Sequence, residues 1–202
     1  MTSVYELKPH FQNLLRPLCR TLANRGIRPN QVTWAALVLS AGTGMGLALW
    51  PECRRVLLWV PAALFLRMAL NAIDGMLARE HDMRSRAGAL LNEVGDVVAD
   101  AFLFLPFALV RGVPAPTVVL VVVLAGITEV TGLAAAGIGA PRGYQGPMGK
   151  SDRAVVFGAL AFLLGVGVPA GRWVEILLIL VNLLLGITVF NRFRFALKEP
   201  AP

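Results

Sequence analysis

Between Val4 and Asn24 the apolar residues recur at helical spacing, with Leu7, Phe11, Leu14, Leu15, Leu18 and Leu22 on one stripe and Lys8, Arg16 and Arg20 on other faces. This pattern predicts an amphipathic helix lying on a membrane surface, although a short helix packed against neighbouring spans would carry nearly the same stripe. Beyond it, apolar runs predict six spans at about Val32–Trp50, Val56–Ala78, Ala87–Val110, Pro116–Ile138, Arg153–Ala170 and Trp173–Phe190. Pro51, Pro114 and Pro141 punctuate the connections. The expected architecture is all-α: a six-transmembrane-helix polytopic membrane protein with an N-terminal interfacial helix, forming one domain over residues 1–202. An even number of spans puts both termini on the same side.

Two spans break the apolar pattern. Asn71 and Asp74 interrupt the second, and Asn92, Glu93, Asp96 and Asp100 interrupt the third. A charge in hydrocarbon costs about 2.5–3.5 kcal/mol on insertion scales, so bulk packing does not account for these residues. Asn71 and Asp74 are three apart, and Asn92, Asp96 and Asp100 follow at intervals of four, so each set lies on one stripe of its helix. Antiparallel helices joined by the short loop from Glu80 to Arg86 turn the two stripes toward each other. The product is an oxygen-rich pocket without histidine, opening on the side of the Arg79 loop.

Composition agrees with lipid as the solvent. Hydrophobic residues make up 56% of the chain and charged residues 15%, against about 25% charged in a soluble domain. The formal net charge of +7 is the kind of excess that nucleic acid or an anionic surface attracts, but its placement follows membrane topology. Lys8, Arg16, Arg20, Arg25, Arg28, Arg79, Arg84, Arg86, Arg142, Lys150, Arg153, Arg192, Arg194 and Lys198 fall on one face. Arg54, Arg55, Arg111 and Arg172 fall on the other. The termini and the pocket are therefore expected on the cytoplasmic side, with a lipid bilayer and no nucleic acid as partner. Cys19 and Cys53 are too few and too far apart for a disulfide framework or a zinc site. Tyr5, Glu6, Lys8 and His10 do not make a basic stretch before an apolar run, so no cleavable signal peptide is expected.

Carboxylate and amide oxygens suit a hard cation, Mg²⁺ or Mn²⁺, which commonly binds together with substrate phosphates. Gly75 and Gly88 remove side chains where a backbone or a bulky ligand must come close, and Arg79 offers paired hydrogen bonds to a phosphate. Metal, arginine and a free carboxylate together point to phosphoryl transfer. The loop from Arg142 to Arg153 gathers Arg142, Lys150 and Arg153 among Gly143, Gly146 and Gly149. It reads equally as an anion site for an acceptor phosphate or donor headgroup and as ordinary anchoring by positive charge. Glu129 reads as a carboxyl hydrogen-bonded between helices rather than one lining the cavity, and Arg67 as the partner of an intramembrane carboxylate. His10 and His81 have no partner at ligand spacing, and Trp34, Trp50, Trp59 and Trp173 sit where interfacial anchors are expected.

The segment from Asn71 to Asp96 resembles the signature of the CDP-alcohol phosphatidyltransferase family, D-x2-D-G-x2-A-R-x8-G-x3-D-x3-D. Asp74, Gly75, Ala78, Arg79, Gly88 and Asp96 match it in register, while Asn71 and Asn92 stand at its first and third aspartates. Pro29-Asn30-Gln31-Val32-Thr33 resembles the family's nucleotide-side entry motif. The Leu7-Lys8-Pro9 stretch, the segment Leu70 to Glu80 and Gly149-Lys150-Ser151-Asp152-Arg153 are together similar to a bacterial inner-membrane branch of that family.

This resemblance implies an enzyme that takes a CDP-linked donor, CDP-diacylglycerol foremost, and lets an acceptor alcohol attack the β-phosphorus with release of CMP. It implies Asp74 as a metal ligand, Asp96 as general base or shared ligand, and Asn30, Thr33, Gly75, Ala78, Arg79 and Gly88 around the CDP diphosphate. With neutral amides at two aspartate positions, the expected metal set is Asn71, Asp74, Asn92 and Asp96, assisted by Glu93 or Asp100. Asp100 also stands beside Asp96 as a catalytic candidate. A homodimer in a bacterial inner membrane is implied as well. Two rivals remain: a transporter, which would spread polar residues through the membrane depth or show an inverted repeat, and a family member that binds CDP-lipid without turnover.

Overall fold

The computed structural model describes residues 8–198, so the expected first turn of the amphipathic helix, including Tyr5, Glu6 and Leu7, lies outside the described residues. All regular structure among the described residues is helical: α1 (Lys8–Asn24), α2 (Pro29–Leu49), α3 (Arg54–Glu80), α4 (Arg86–Phe104), α5 (Ala115–Gly137), α6 (Lys150–Gly165) and α7 (Arg172–Lys198). Proline sets two of the starts, Pro29 opening α2 and Pro116 lying in the first turn of α5, where its missing N–H leaves no intrahelical bond unmade. Ser85 caps α4 by accepting the Gly88 N–H at 3.0 Å.

Six long helices follow α1 in the predicted order, and α2, α3, α5 and α7 are long and apolar enough to cross a membrane. The chain is thus an all-α polytopic membrane protein, but two of the expected spans differ from their apolar runs. The run predicted to continue to Val110 leaves the α-helix at Phe104 and finishes as a 3₁₀ turn, Leu105–Leu109. Pro106 forces this change, because its ring clashes with the preceding turn and it has no N–H to donate. The run from Arg153 to Ala170 forms a helix of 16 residues, about 24 Å long and shorter than the roughly 30 Å of hydrocarbon. It ends where Gly167 turns to a φ of +99°.

In the bundle α2 lies against α3 and α4, α3 also against α1 and α6, and α5 against α7 and α4. α2 and α4 come close together, since a Cβ on Gly44 would run into the Phe102 carbonyl. One part of the bundle is wholly apolar. Phe104 and Phe157 stack with centroids 4.4 Å apart, Phe107 meets Phe157 edge-on at 5.1 Å, and Leu57, Val60, Val121, Leu160 and Leu178 close around them. The outer faces bear bare apolar side chains such as Phe65, Val130, Ile176, Leu183 and Phe190, which suits contact with lipid.

The amphipathic stripe of α1 is divided between two surroundings. Leu15, Cys19 and Leu22 pack on Ile73, Met76 and Leu77 of α3, and the Phe11 ring meets Phe65 edge-on at 5.9 Å. Leu14 and Leu18 stay exposed on the far side. The helix is therefore docked on the bundle and still offers an apolar edge to a bilayer. Arg16 fixes its register by donating from Nε and Nη2 to the Glu80 carboxylate, each at 3.1 Å.

Candidate active site

The loop from His81 to Ser85 reverses the chain, so the polar stripes of α3 and α4 meet as their spacing requires. Asn71 Nδ2 donates to Asp96 Oδ1 at 2.9 Å. Asp74 is buried and its Oδ2 accepts from Thr33 Oγ1 at 2.8 Å, which ties the entry motif of α2 to the acidic stripe of α3. Gly75 lies beneath Arg79, where a Cβ would come within 3.0 Å of the guanidinium. Gly88 faces Asn30 so closely that a Cβ would meet Asn30 Oδ1 at 2.6 Å. Asn30, Thr33, Asp74, Gly75, Arg79 and Gly88 are thereby gathered at one end of the bundle, with Ala78 half-buried in the same turn of α3 as Arg79.

Behind Asp96 lies a charge network that joins five helices. Arg67 donates from Nη2 to the Asp96 carbonyl at 3.2 Å, and its Nη1 is 2.6 Å from Asp100 Oδ1. Arg153 brings Nε and Nη2 to Asp100 Oδ2 at 3.2 and 2.8 Å and lies 3.4 Å from Glu129 Oε1. Arg192 stands 3.8 Å from that same Glu129 oxygen and donates to the Thr128 carbonyl. Nearer the surface, Arg142 grips the Glu93 carboxylate with both terminal nitrogens, and Lys150 places its ammonium on Asp96 Oδ2. Four carboxylates, Glu93, Asp96, Asp100 and Glu129, pair with Arg67, Arg142, Lys150, Arg153 and Arg192, while Asp74, hydrogen-bonded to Thr33, lies outside these pairs and brings the formal total to zero. Burial of these charges is tolerable only because each has a partner.

Several expected site residues are placed differently from their sequence reading. Asp100, a catalytic candidate beside Asp96, is enclosed by Arg67 and Arg153. Arg153, grouped with the anion-binding loop, is fully buried against Asp100 and Glu129. Glu93 is engaged by Arg142 rather than turned to the other carboxylates. Arg67 pairs across helices with Asp100, and Glu129 with Arg153 and Arg192, as their isolation in apolar runs suggests. Arg192 was legible only as a terminal positive charge, because the apolar run fades at Phe190; α7 continues to Lys198 and carries Arg192 inward, one turn past the buried Thr188.

Every donor on the open face of the site is oxygen, the ligand type that Mg²⁺ and Mn²⁺ prefer. Among the described residues no three of His, Cys, Asp and Glu come together as a ready-made cage. Asp74 and Asp96 could hold a dication, with amide oxygens of Asn71 and Asn92 completing its shell once the Asn71 amide, whose nitrogen donates to Asp96, turns over. A second would add its charge beside Arg67 and Lys150 with no carboxylate left to face it. The network also has spare donors: Arg67 Nε, Arg153 Nη1 and Arg192 Nε lack a hydrogen-bond partner among the described residues. Away from this site, a groove of about 380 Å³ between α2 and α3 is lined by Val38, Gly42, Gly46, Trp50 and Trp59 and is mainly apolar.

Comparison with known proteins identifies a family and a shared fold. A family model described as CDP-alcohol phosphatidyltransferase matches residues 27–189. The inner membrane protein YnbA of Escherichia coli (strain K12) is 43% identical over 199 residues, 98% of this chain and 98% of that one. The crystal structure of Mycobacterium tuberculosis phosphatidylinositol phosphate synthase with CDP-DAG bound superposes with a TM-score of 0.76 over 91% of this chain and 94% of that chain, at 19% identity. The same synthase in complex with manganese and citrate gives a TM-score of 0.77 over 91% of this chain and 89% of that chain, at 20% identity. At such identities the structural likeness is one of fold.

Proposed function

The chain belongs to the CDP-alcohol phosphatidyltransferase family, and from that membership we propose that it is a working membrane transferase of phospholipid synthesis. It moves a phosphatidyl or substituted phosphoryl group from a CDP-linked donor, CDP-diacylglycerol foremost, to an acceptor hydroxyl and releases CMP. The observation that carries this reading is the convergence of Asp74 and Asp96 at one polar end, with Arg79 folded over Gly75. A related fold crystallised with CDP-DAG supports the donor class.

In this mechanism Arg79, Asn30 and Thr33 hold the donor at the open end, with Gly75 and Gly88 leaving room for its diphosphate. Asp96 takes the proton of the acceptor hydroxyl while that oxygen bonds to the β-phosphorus. The bond from the β-phosphorus to the bridging oxygen breaks, and CMP leaves with the electron pair. Asp74 and Asp96, with the amide oxygens of Asn71 and Asn92, would hold Mg²⁺ or Mn²⁺, which supplies positive charge to the diphosphate oxygens when bound. Asn71 must turn its amide over to do this, since its nitrogen faces Asp96. Arg142 and Lys150, both partly exposed at the rim, meet the acceptor, whereas Asp100 and Arg153 position the helices from beneath. The protein works as one domain with α2 to α7 crossing a bacterial inner membrane, its site and both termini cytoplasmic, and it acts as a homodimer.

A second reading, a CDP-lipid binder without turnover, is favoured by one observation: both oxygens of Asp96 are already engaged, by Asn71 and Lys150. Purified protein in detergent, given CDP-diacylglycerol, Mg²⁺ or Mn²⁺ and a panel of alcohol acceptors, separates the two. CMP formation stimulated by one acceptor, with the matching lipid found by mass spectrometry, supports the transferase. Saturable CDP-lipid binding without CMP across the panel supports the binder.

A further inference from the structure

The five cations of the network differ in their freedom to move. Arg67, Arg153 and Arg192 have side chains no more than 4% exposed, so none can leave without opening a void in the bundle. Lys150 is 30% exposed. It is also the first residue of α6, where the positive end of the helix dipole disfavours a cation. The backbone leading into it, by contrast, is fixed: the Met148 N–H donates to Thr188 Oγ1 at 3.0 Å, and the Gly149 N–H donates to Asp152 Oδ2 at 2.9 Å. A flexible, readily hydrated ammonium on a pinned stem is suited to swinging between two positions. One of those positions is seen, on Asp96 Oδ2.

We propose that Lys150 is the resident counter-cation of Asp96, and that a divalent cation reaches this carboxylate by displacing the Lys150 ammonium into the open mouth of the site. This deepens the proposed transferase function and rests on it for the identity of the cation. With Asn71 and Asn92 replacing charged ligands, Asp74 and Asp96 are the carboxylates left to hold the metal, and one of them is already neutralised by a tethered amine. Lysine and metal therefore compete. An anionic substrate shifts the contest toward the metal, because its phosphate gives the displaced ammonium a partner. Metal and nucleotide donor then bind with positive coupling, each strengthening the other by the same factor.

The test is Mn²⁺ binding to the purified full chain, read by the loss of the free Mn²⁺ paramagnetic resonance signal and by calorimetry. Lys150→Gln and Lys150→Met are each expected to bind about tenfold more tightly than wild type, a difference of about 1.4 kcal/mol. Lys150→Arg, which keeps the charge, is expected to show no tightening. Adding Asp96→Asn to Lys150→Gln is expected to abolish the gain. Equal or weaker Mn²⁺ binding by both neutral variants would overturn the proposal, as would a gain that survives Asp96→Asn. CMP release from the same wild-type preparation separates the two ideas: tighter Mn²⁺ binding without any CMP removes the transferase and leaves the exchange, and CMP without tightening does the reverse.

Discussion

Around Phe104, Phe107 and Phe157 the helices meet through rings and aliphatic side chains, whereas around Asp100 and Glu129 they meet through carboxylates and guanidiniums. The apolar region needs only volume and shape, and many side chains supply those. The charged region needs a partner for every group, at hydrogen-bond distance, in a medium that penalises any error. A bundle built for stability alone would use the first kind of packing throughout. The second kind occurs where the carboxylates of α3 and α4 gather, and this placement connects the structure to chemistry.

Variants can break this contrast, and the largest effect is expected on turnover. Asp96→Asn should lower CMP release by about 10²–10⁴-fold, the range for loss of a general base, while leaving the protein folded in a detergent melting assay. Next in size is an effect on stability in the charged region. Arg153→Met takes the shared partner from Asp100 and Glu129, leaving Arg67 and the more distant Arg192 to face them, and should destabilise the protein by about 3 kcal/mol, seen as a lower midpoint of thermal unfolding. Leu160→Met, an equally buried position in the apolar region, should cost less than about 1.5 kcal/mol in the same assay. Near-equal losses for these two would mean that the charges are not uniquely matched.

Two smaller effects sharpen the picture. Gly75→Ala brings a methyl group to 3.0 Å from the Arg79 guanidinium and nudges it aside, so KM for the CDP donor should rise by roughly tenfold or less with little change in melting. Arg16→Ala removes an exposed ion pair between α1 and α3 and should leave the melting midpoint unchanged at ordinary salt.

The helices were legible because apolar runs and proline positions are local signals. Pairing of the polar stripes of α3 and α4 was legible too, since the short loop at residues 81–85 leaves antiparallel packing as the simple outcome. The bounds failed where a single residue overrode hydropathy: Pro106 broke α4, and Gly167 ended α6 early. At the site, spacing on one helix reveals which residues share a stripe, but not which neighbour neutralises them. Nothing local distinguishes Arg153, sealed against Asp100, from Lys150, three residues earlier and open to the mouth of the site. Arg192 was hidden for the same reason, its partner Glu129 lying 63 positions away on α5.

The assignment of Asp96 as the base of a CDP-dependent transfer stands or falls on turnover. Its most direct test is the rate of CMP release by wild type and Asp96→Asn at matched folded fraction, with CDP-diacylglycerol, Mn²⁺ and the acceptor that gives the most product. Metal-dependent release by wild type and a loss of about 100-fold or more in the variant are expected; equal rates would remove Asp96 from the base role.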